Sequence, residues 1–154
     1  ERQPGLDGIR QRAAAPAQVR AATLDDLAKL LLRVTLGALM LLHGIAKLQN
    51  GIDPIIDAVA NAGLPPVLAY GVFVGEVLAP LLLIAGVWTR LAAGVIVINM
   101  VAAIALMHSN DFATLSRTGG WALELQAFYL VVAGAVALLG AGRFGLGTAN
   151  SSLN

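Results

Sequence analysis

The sequence predicts an all-α integral membrane protein: a four-transmembrane-helix bundle with a short amphipathic helix between spans one and two, and both termini cytoplasmic. Three observations lead there. The 154 residues are 58% hydrophobic and only 12% charged, with a mean hydropathy of +0.78, too apolar for an ordinary soluble domain. Four apolar stretches, about residues 27–46, 66–87, 91–107 and 121–141, are each near the length that spans a hydrocarbon core of roughly 30 Å. The first carries an internal polar stripe: at about 100° per residue, Arg33, Gly37, Met40, Gly44 and Lys47 share one face, with His43 at its edge. Charged groups in a span turn away from lipid, so this stripe is expected to face inward.

Residues 1–22 hold Pro4, Gly5, Gly8 and Pro16 among Arg2, Arg10, Arg12 and Arg20. Such a mixture cannot bury a core and reads as a flexible basic arm. The following apolar run is long and internally charged, so a cleaved signal peptide is not expected. Thr23, followed by Asp25 and Asp26, has the pattern of an N-cap with first-turn carboxylates, and predicts a helix from there to about Leu48.

Asn50-Gly51 breaks that helix, and Asp53-Pro54 starts the next, with Asp53 as cap. Ile52, Ile55, Ile56, Val59 and Ala60 fall on one side of it, opposite Asp53 and Asp57. A helix over about 53–62 is amphipathic and too short to span, which places it at the interface. Gly63 and Pro65-Pro66 end it.

Span two, 66–87, has Glu76 as its single charge. Pro80, four residues on, removes the amide that would bond the Glu76 carbonyl, which predicts a distortion at mid-span. Trp88-Thr89-Arg90 turns the chain into span three, whose one strongly polar residue is Asn99. A polar loop, His108 to Gly120, leads to span four, with Trp121 as interfacial anchor and Glu124 as its charge. Gly140-Ala141-Gly142-Arg143-Phe144 closes the bundle, and 148–154 is a polar tail. Four spans put both termini on one side, which would hold eight basic residues, among them Arg20, Lys29, Arg90 and Arg143, against Lys47 and Arg117 on the other. The positive-inside rule makes that side cytoplasmic. Gly71, Gly75 and Ala79 form a small-residue ridge, as do Ala133, Ala137 and Ala141.

Counting heights at about 1.5 Å per residue predicts two polar clusters. The outer one is His43, Lys47, Glu124 and His108. The central one is Arg33, Glu76 and Asn99, with Arg33 as partner of Glu76. The central cluster reads either as a structural ion-pair network or as a proton or quinone site. His43 reads either as a headgroup-level histidine satisfied by Glu124 or water, or as a proton-carrying imidazole that bonds a quinone carbonyl, tuned by Lys47 or Glu124. His43, His108 and Glu124 lack the spacing of a metal site, so no metal is expected. Met40, Met100 and Met107 read as bundle filling. Gln126, about 200° around span four from Glu124, would face another subunit. Absent cysteines remove thiol exchange, thiolate metal sites and iron–sulfur clusters. A redox role would therefore use a cofactor, a quinone or a partner. A net charge of +1 without a basic cluster argues against nucleic acid.

The sequence over about 24–147 resembles the DoxX family of small four-helix integral membrane proteins. The resemblance rests on Arg33 with Gly37, His43-Gly44-x-x-Lys47, Glu76 with Pro80, Gly86-Val-Trp-Thr-Arg90, Asn99-Met100, Glu124 and Gly140-Ala-Gly142-Arg143-Phe144. The family's usual ending resembles Gly-Pro-Gly-Arg-Tyr-Ser-Leu-Asp; here Ala141 replaces the Pro and Gly147 the Asp. The resemblance implies a multi-pass protein of the bacterial cytoplasmic membrane, a subunit of membrane oxidoreductases such as those of quinone-coupled thiosulfate oxidation or oxidative-stress complexes. Related thiol-to-quinone enzymes depend on cysteines this chain lacks. Expected contacts are membrane lipid, protein partners or further copies of the chain, and quinone. A purely structural or assembly subunit is the alternative. A small-solute or proton carrier would need a continuous polar path, which the two separate clusters do not form.

Overall fold

The computed structural model describes residues 4–117, 119–147 and 153–154, with side chains from residue 19 onward. Among these residues the fold is all helical apart from one isolated bridge between Leu115 and Trp121. Five helices carry it: α1 (Pro4–Asn50), α2 (Asp53–Asn61), α3 (Pro66–Ala85), α4 (Thr89–Met107) and α5 (Glu124–Leu139). From Val19 onward α1 is long and apolar enough to cross a membrane, as are α3 and α4, while α5 is apolar but shorter.

The first helix does not start at Thr23. It runs unbroken from Pro4, and Thr23 Oγ1 donates to the Val19 carbonyl at 3.0 Å, the bond of a threonine inside a helix. The alanines and arginines ahead of Thr23 are strong helix formers, and Pro4 sits where a helix tolerates it. Residues 1–3 and most of the tail at 148–154 lie outside the described residues. Asn50-Gly51 does end α1, with Gly51 at φ +83°. Asp53 is the first residue of α2 rather than its cap; the Ile52 carbonyl accepts from Ile55 and Ile56 N–H instead. Ile52 and Val59 then pack on Ala69 and Val72, which seats α2 over the start of α3.

Side chains of four helices share one core. Leu36 and Met40 of α1 meet Ala79 and Leu83 of α3, Ala93, Ile96 and Met100 of α4, and Tyr129, Ala133 and Val136 of α5. The outside is the reverse of a soluble bundle: Leu42, Ile98, Val131 and Leu138 are 62–81% exposed, a surface suited to lipid.

Two glycines set the α1–α3 register. A Cβ at Gly37 would lie 2.9 Å from the Pro80 carbonyl oxygen, and one at Gly44 would overlap the Glu76 carbonyl. Spaced seven apart, both fall on the inward face. Pro80 has the expected effect on α3, which forms a π turn at Val74–Leu78 around Glu76.

Trp121 is not in the last helix. It pairs with Leu115 and donates its indole N–H to the Phe112 carbonyl at 2.9 Å, so helical turns begin only at Glu124. After Gly140 (φ +75°) and Gly142 (φ +67°), the chain passes under α3. Leu146 N–H bonds the Ala85 carbonyl at 3.1 Å and Gly147 N–H the Gly86 carbonyl at 3.0 Å.

Candidate functional site

Glu76 is the centre of the polar interior. The residue is 2% exposed and sits in the π turn, where Gly44 of α1 packs against its backbone carbonyl. Its partner is Lys47, whose Nζ binds Oε1, and Asn99 Nδ2 donates to the same oxygen at 3.3 Å. Gly75 makes the second contact possible, since a Cβ there would stand 2.5 Å from Asn99 Cβ. Oε2 is buried and without a hydrogen-bond partner.

The expected Arg33–Glu76 pair is not formed. Arg33, 1% exposed, donates through Nη1 to the Leu83 and Ile84 carbonyls at 2.8 and 2.9 Å, and through Nη2 to the Phe144 carbonyl at 2.6 Å. It caps the end of α3 and ties down the C-terminal segment. Gly86, at φ +69°, makes room, because a Cβ there would lie 2.6 Å from Arg33 Nη1. The physical reason is register. With Gly44 level with Glu76, Arg33 lies eleven residues, about 16 Å, further down, beyond the reach of its side chain. Asp26 works with it: buried at 8%, it binds Arg143 Nε at 2.6 Å and accepts from Arg143 N–H at 3.1 Å.

The outer cluster is rearranged as well. His43 Nε2 and Tyr129 Oη are 3.5 Å apart, with the rings edge to face at 5.8 Å. His108 Nδ1 lies 3.0 Å from Asp111 Oδ2, and Gln126 Nε2 lies 3.2 Å from His108 Nε2. As the Gln126 amide stands, it donates to Nε2, and Nδ1–H donates to Asp111. Gln126 therefore turns inward, not to another subunit. Glu124 is exposed and folds back on Gly120; it has no hydrogen bond to His43 or Lys47, because the bridge at Trp121 places it in the first turn of α5, at the rim. Tyr129, Gln126 and Asp111 were not expected at the site. Gln126 and Tyr129, three apart in an apolar span, form the helical stripe that signals them.

Two cavities meet at this network. The larger, of about 580 Å³, lies between α2, α3 and α4; it is lined mainly by Val, Leu, Ile and Ala, with Lys47, Glu76, Asn99 and His108 as its polar groups. The smaller, of about 200 Å³, lies between α1, α4 and α5 and includes His43, Gln126 and Tyr129. Lys47, Glu76, Ala103 and His108 line both. The Lys47–Glu76 pair thus forms part of the wall between them. Among the described residues no group of three His, Asp or Glu side chains is placed to hold a metal ion.

The pair makes a direct prediction. Lys47→Met leaves a buried carboxylate uncompensated and is expected to destabilise the protein by roughly 2 kcal/mol, less than for a fully buried pair because Lys47 is partly exposed. Adding Glu76→Leu is expected to restore most of the loss, measured as the thermal midpoint in detergent.

No curated protein and no solved structure matches the chain. A family comparison does match, over residues 28–109, a stretch that takes in Arg33, His43, Lys47, Glu76, Asn99 and His108 but neither Glu124 nor the turn at Gly140–Phe144. Since the match covers more than half of the chain, this all-helical membrane protein belongs to the DoxX family.

Proposed function

We propose that the chain is an accessory subunit of a quinone-linked oxidoreductase in the bacterial cytoplasmic membrane, and that it contacts quinone through the cavity between α2, α3 and α4. In this reading α1, α3, α4 and α5 all span. Both termini are cytoplasmic, where Arg90, Arg143 and the Asp25–Lys29 pair would lie near the inner headgroups.

The observation that carries the reading is an apolar cavity ending on a buried, half-satisfied carboxylate. Its volume, about 580 Å³, falls within the roughly 300–1,000 Å³ of small-molecule sites. The apolar lining suits an isoprenoid tail. Lys47 would donate to a ring oxygen, with Glu76 fixing its ammonium and Asn99 in turn holding Glu76 Oε1. A bound quinone would supply two-electron, two-proton redox chemistry; the chain's own residues would hold the ring and exclude water.

Gly71 offers a clean test. It lies in the cavity wall with an ordinary helical backbone (φ −57°), and a Cβ there meets nothing within 4 Å. Gly71→Leu is expected to fold normally while occupying the cavity. Purification from native membranes should recover quinone with the wild type, enriched over bulk lipid, and about tenfold less with Gly71→Leu. Quinone at bulk-lipid level in both would overturn the reading. It would favour a purely structural subunit, which Arg33, spending its bonds on backbone carbonyls, already resembles.

A further inference from the structure

The Lys47–Glu76 pair leaves one atom unserved. Oε1 of Glu76 takes both Lys47 and Asn99, while Oε2 is buried without a partner. An ionised carboxylate only accepts hydrogen bonds, so what is missing is a donor. The cavity's other polar side chains are engaged: Asn99 with Glu76, and His108 with Asp111 and Gln126. Lys47 and Glu76 cancel in formal charge. A charged ligand would therefore enter this apolar wall uncompensated, whereas a neutral one would not.

We propose that the cavity selects a neutral amphiphile whose head donates a hydroxyl to Glu76 Oε2 and whose tail lies along Val72, Val95, Ala103 and Leu106. On the quinone reading above, on which this rests, the preferred form is the reduced hydroquinone. A quinone carbonyl is acceptor-only; it can take a spare Lys47 N–H but leaves Oε2 unserved. A hydroquinone serves both, since one hydroxyl oxygen accepts from Lys47 while its O–H donates to Oε2. Glu76 then acts as the group that discriminates redox state by hydrogen-bond polarity, without itself reacting.

The test is equilibrium binding to the full chain in lipid nanodiscs, by titration calorimetry without oxygen. Three probes share a decyl tail: a benzohydroquinone, its benzoquinone, and 1-decylglycerol. The hydroquinone is expected to bind at least about tenfold more tightly than the quinone, the worth of one hydrogen bond to a charged acceptor. In Glu76→Gln, whose amide both donates and accepts, the ratio is expected to fall below about threefold. Gly134→Ala, which lies outside both cavities and has room for a Cβ, is expected to keep the preference, and the wild-type ratio decides if Glu76→Gln does not fold. Decylglycerol binding as tightly as the hydroquinone would support the hydroxyl rule and assign the cavity to hydroxyl-headed lipids in place of quinones. Equal or tighter binding of the quinone to the wild type would overturn the inference and leave the quinone reading standing. No binding of either redox form would overturn both.

Discussion

Arg33→Leu is expected to lose most of the folded protein, and Glu76→Leu is not expected to rescue it. The guanidinium serves three carbonyls, Leu83, Ile84 and Phe144; Leu83 keeps the Gly86 N–H as a donor, while the Ile84 and Phe144 carbonyls lose theirs, and each buried acceptor left without a donor costs roughly 1–3 kcal/mol. The total, about 3–5 kcal/mol, is a large share of an ordinary domain's stability. Arg33→Lys should recover only part, because one ammonium cannot reproduce the planar fork that reaches two chain segments at once. Monodisperse yield in detergent and the thermal midpoint read the effect. Since Arg33 and Glu76 share no contact, the double variant should show the sum of the single losses. A rescue would mean that the two side chains are partners after all.

Gly44 should be the least tolerant position in α1. A Cβ there would stand 2.7 Å from the Glu76 carbonyl carbon, nearer still to its oxygen, and 2.8 Å from Val77 Cγ2. Two of these are backbone atoms that cannot move without shifting α3. Gly44→Ala is therefore expected to destabilise by about 3 kcal/mol, the upper range for overpacking, and to pull Lys47 out of register with Glu76. Gly94 and Gly134 are the controls. Both lie in helices with nothing within 4 Å of a Cβ, so Ala there should stabilise by roughly 0.5–1 kcal/mol. Thermal midpoints of the three single variants in one detergent make the comparison. Equal effects at all three would mean that helix propensity, rather than close approach to α3, decides.

Much of the architecture was legible because it depends on local chemistry. The apolar runs, the Asn50-Gly51 break, the short amphipathic α2 and the distortion around Glu76 follow from composition, periodicity and Pro80. What failed were inferences about relative height. Centring each apolar run in the membrane put Arg33 beside Glu76, whereas the register is fixed by Gly37 and Gly44 against backbone carbonyls, and this hands Glu76 to Lys47. Glycines on the same stripe as charges carried that information, but as a packing constraint rather than a depth. The Glu124 placement failed for a related reason. The bridge between Leu115 and Trp121 takes residues from the apolar run, and nothing in hydropathy marks it. Gln126 and Tyr129 were readable as a pair, and the smaller cavity is built on them.

On the proposed reading, quinone sits between α2, α3 and α4 against Glu76. Native membranes containing the chain, treated with a photoreactive quinone and mapped by mass spectrometry, test it most directly. Adducts are expected on cavity residues such as Val59, Val72 and Leu106, lost on competition with unlabelled quinone and in Gly71→Leu. Adducts spread over the lipid-facing residues Leu42, Val131 and Leu138, and unchanged in Gly71→Leu, would contradict it.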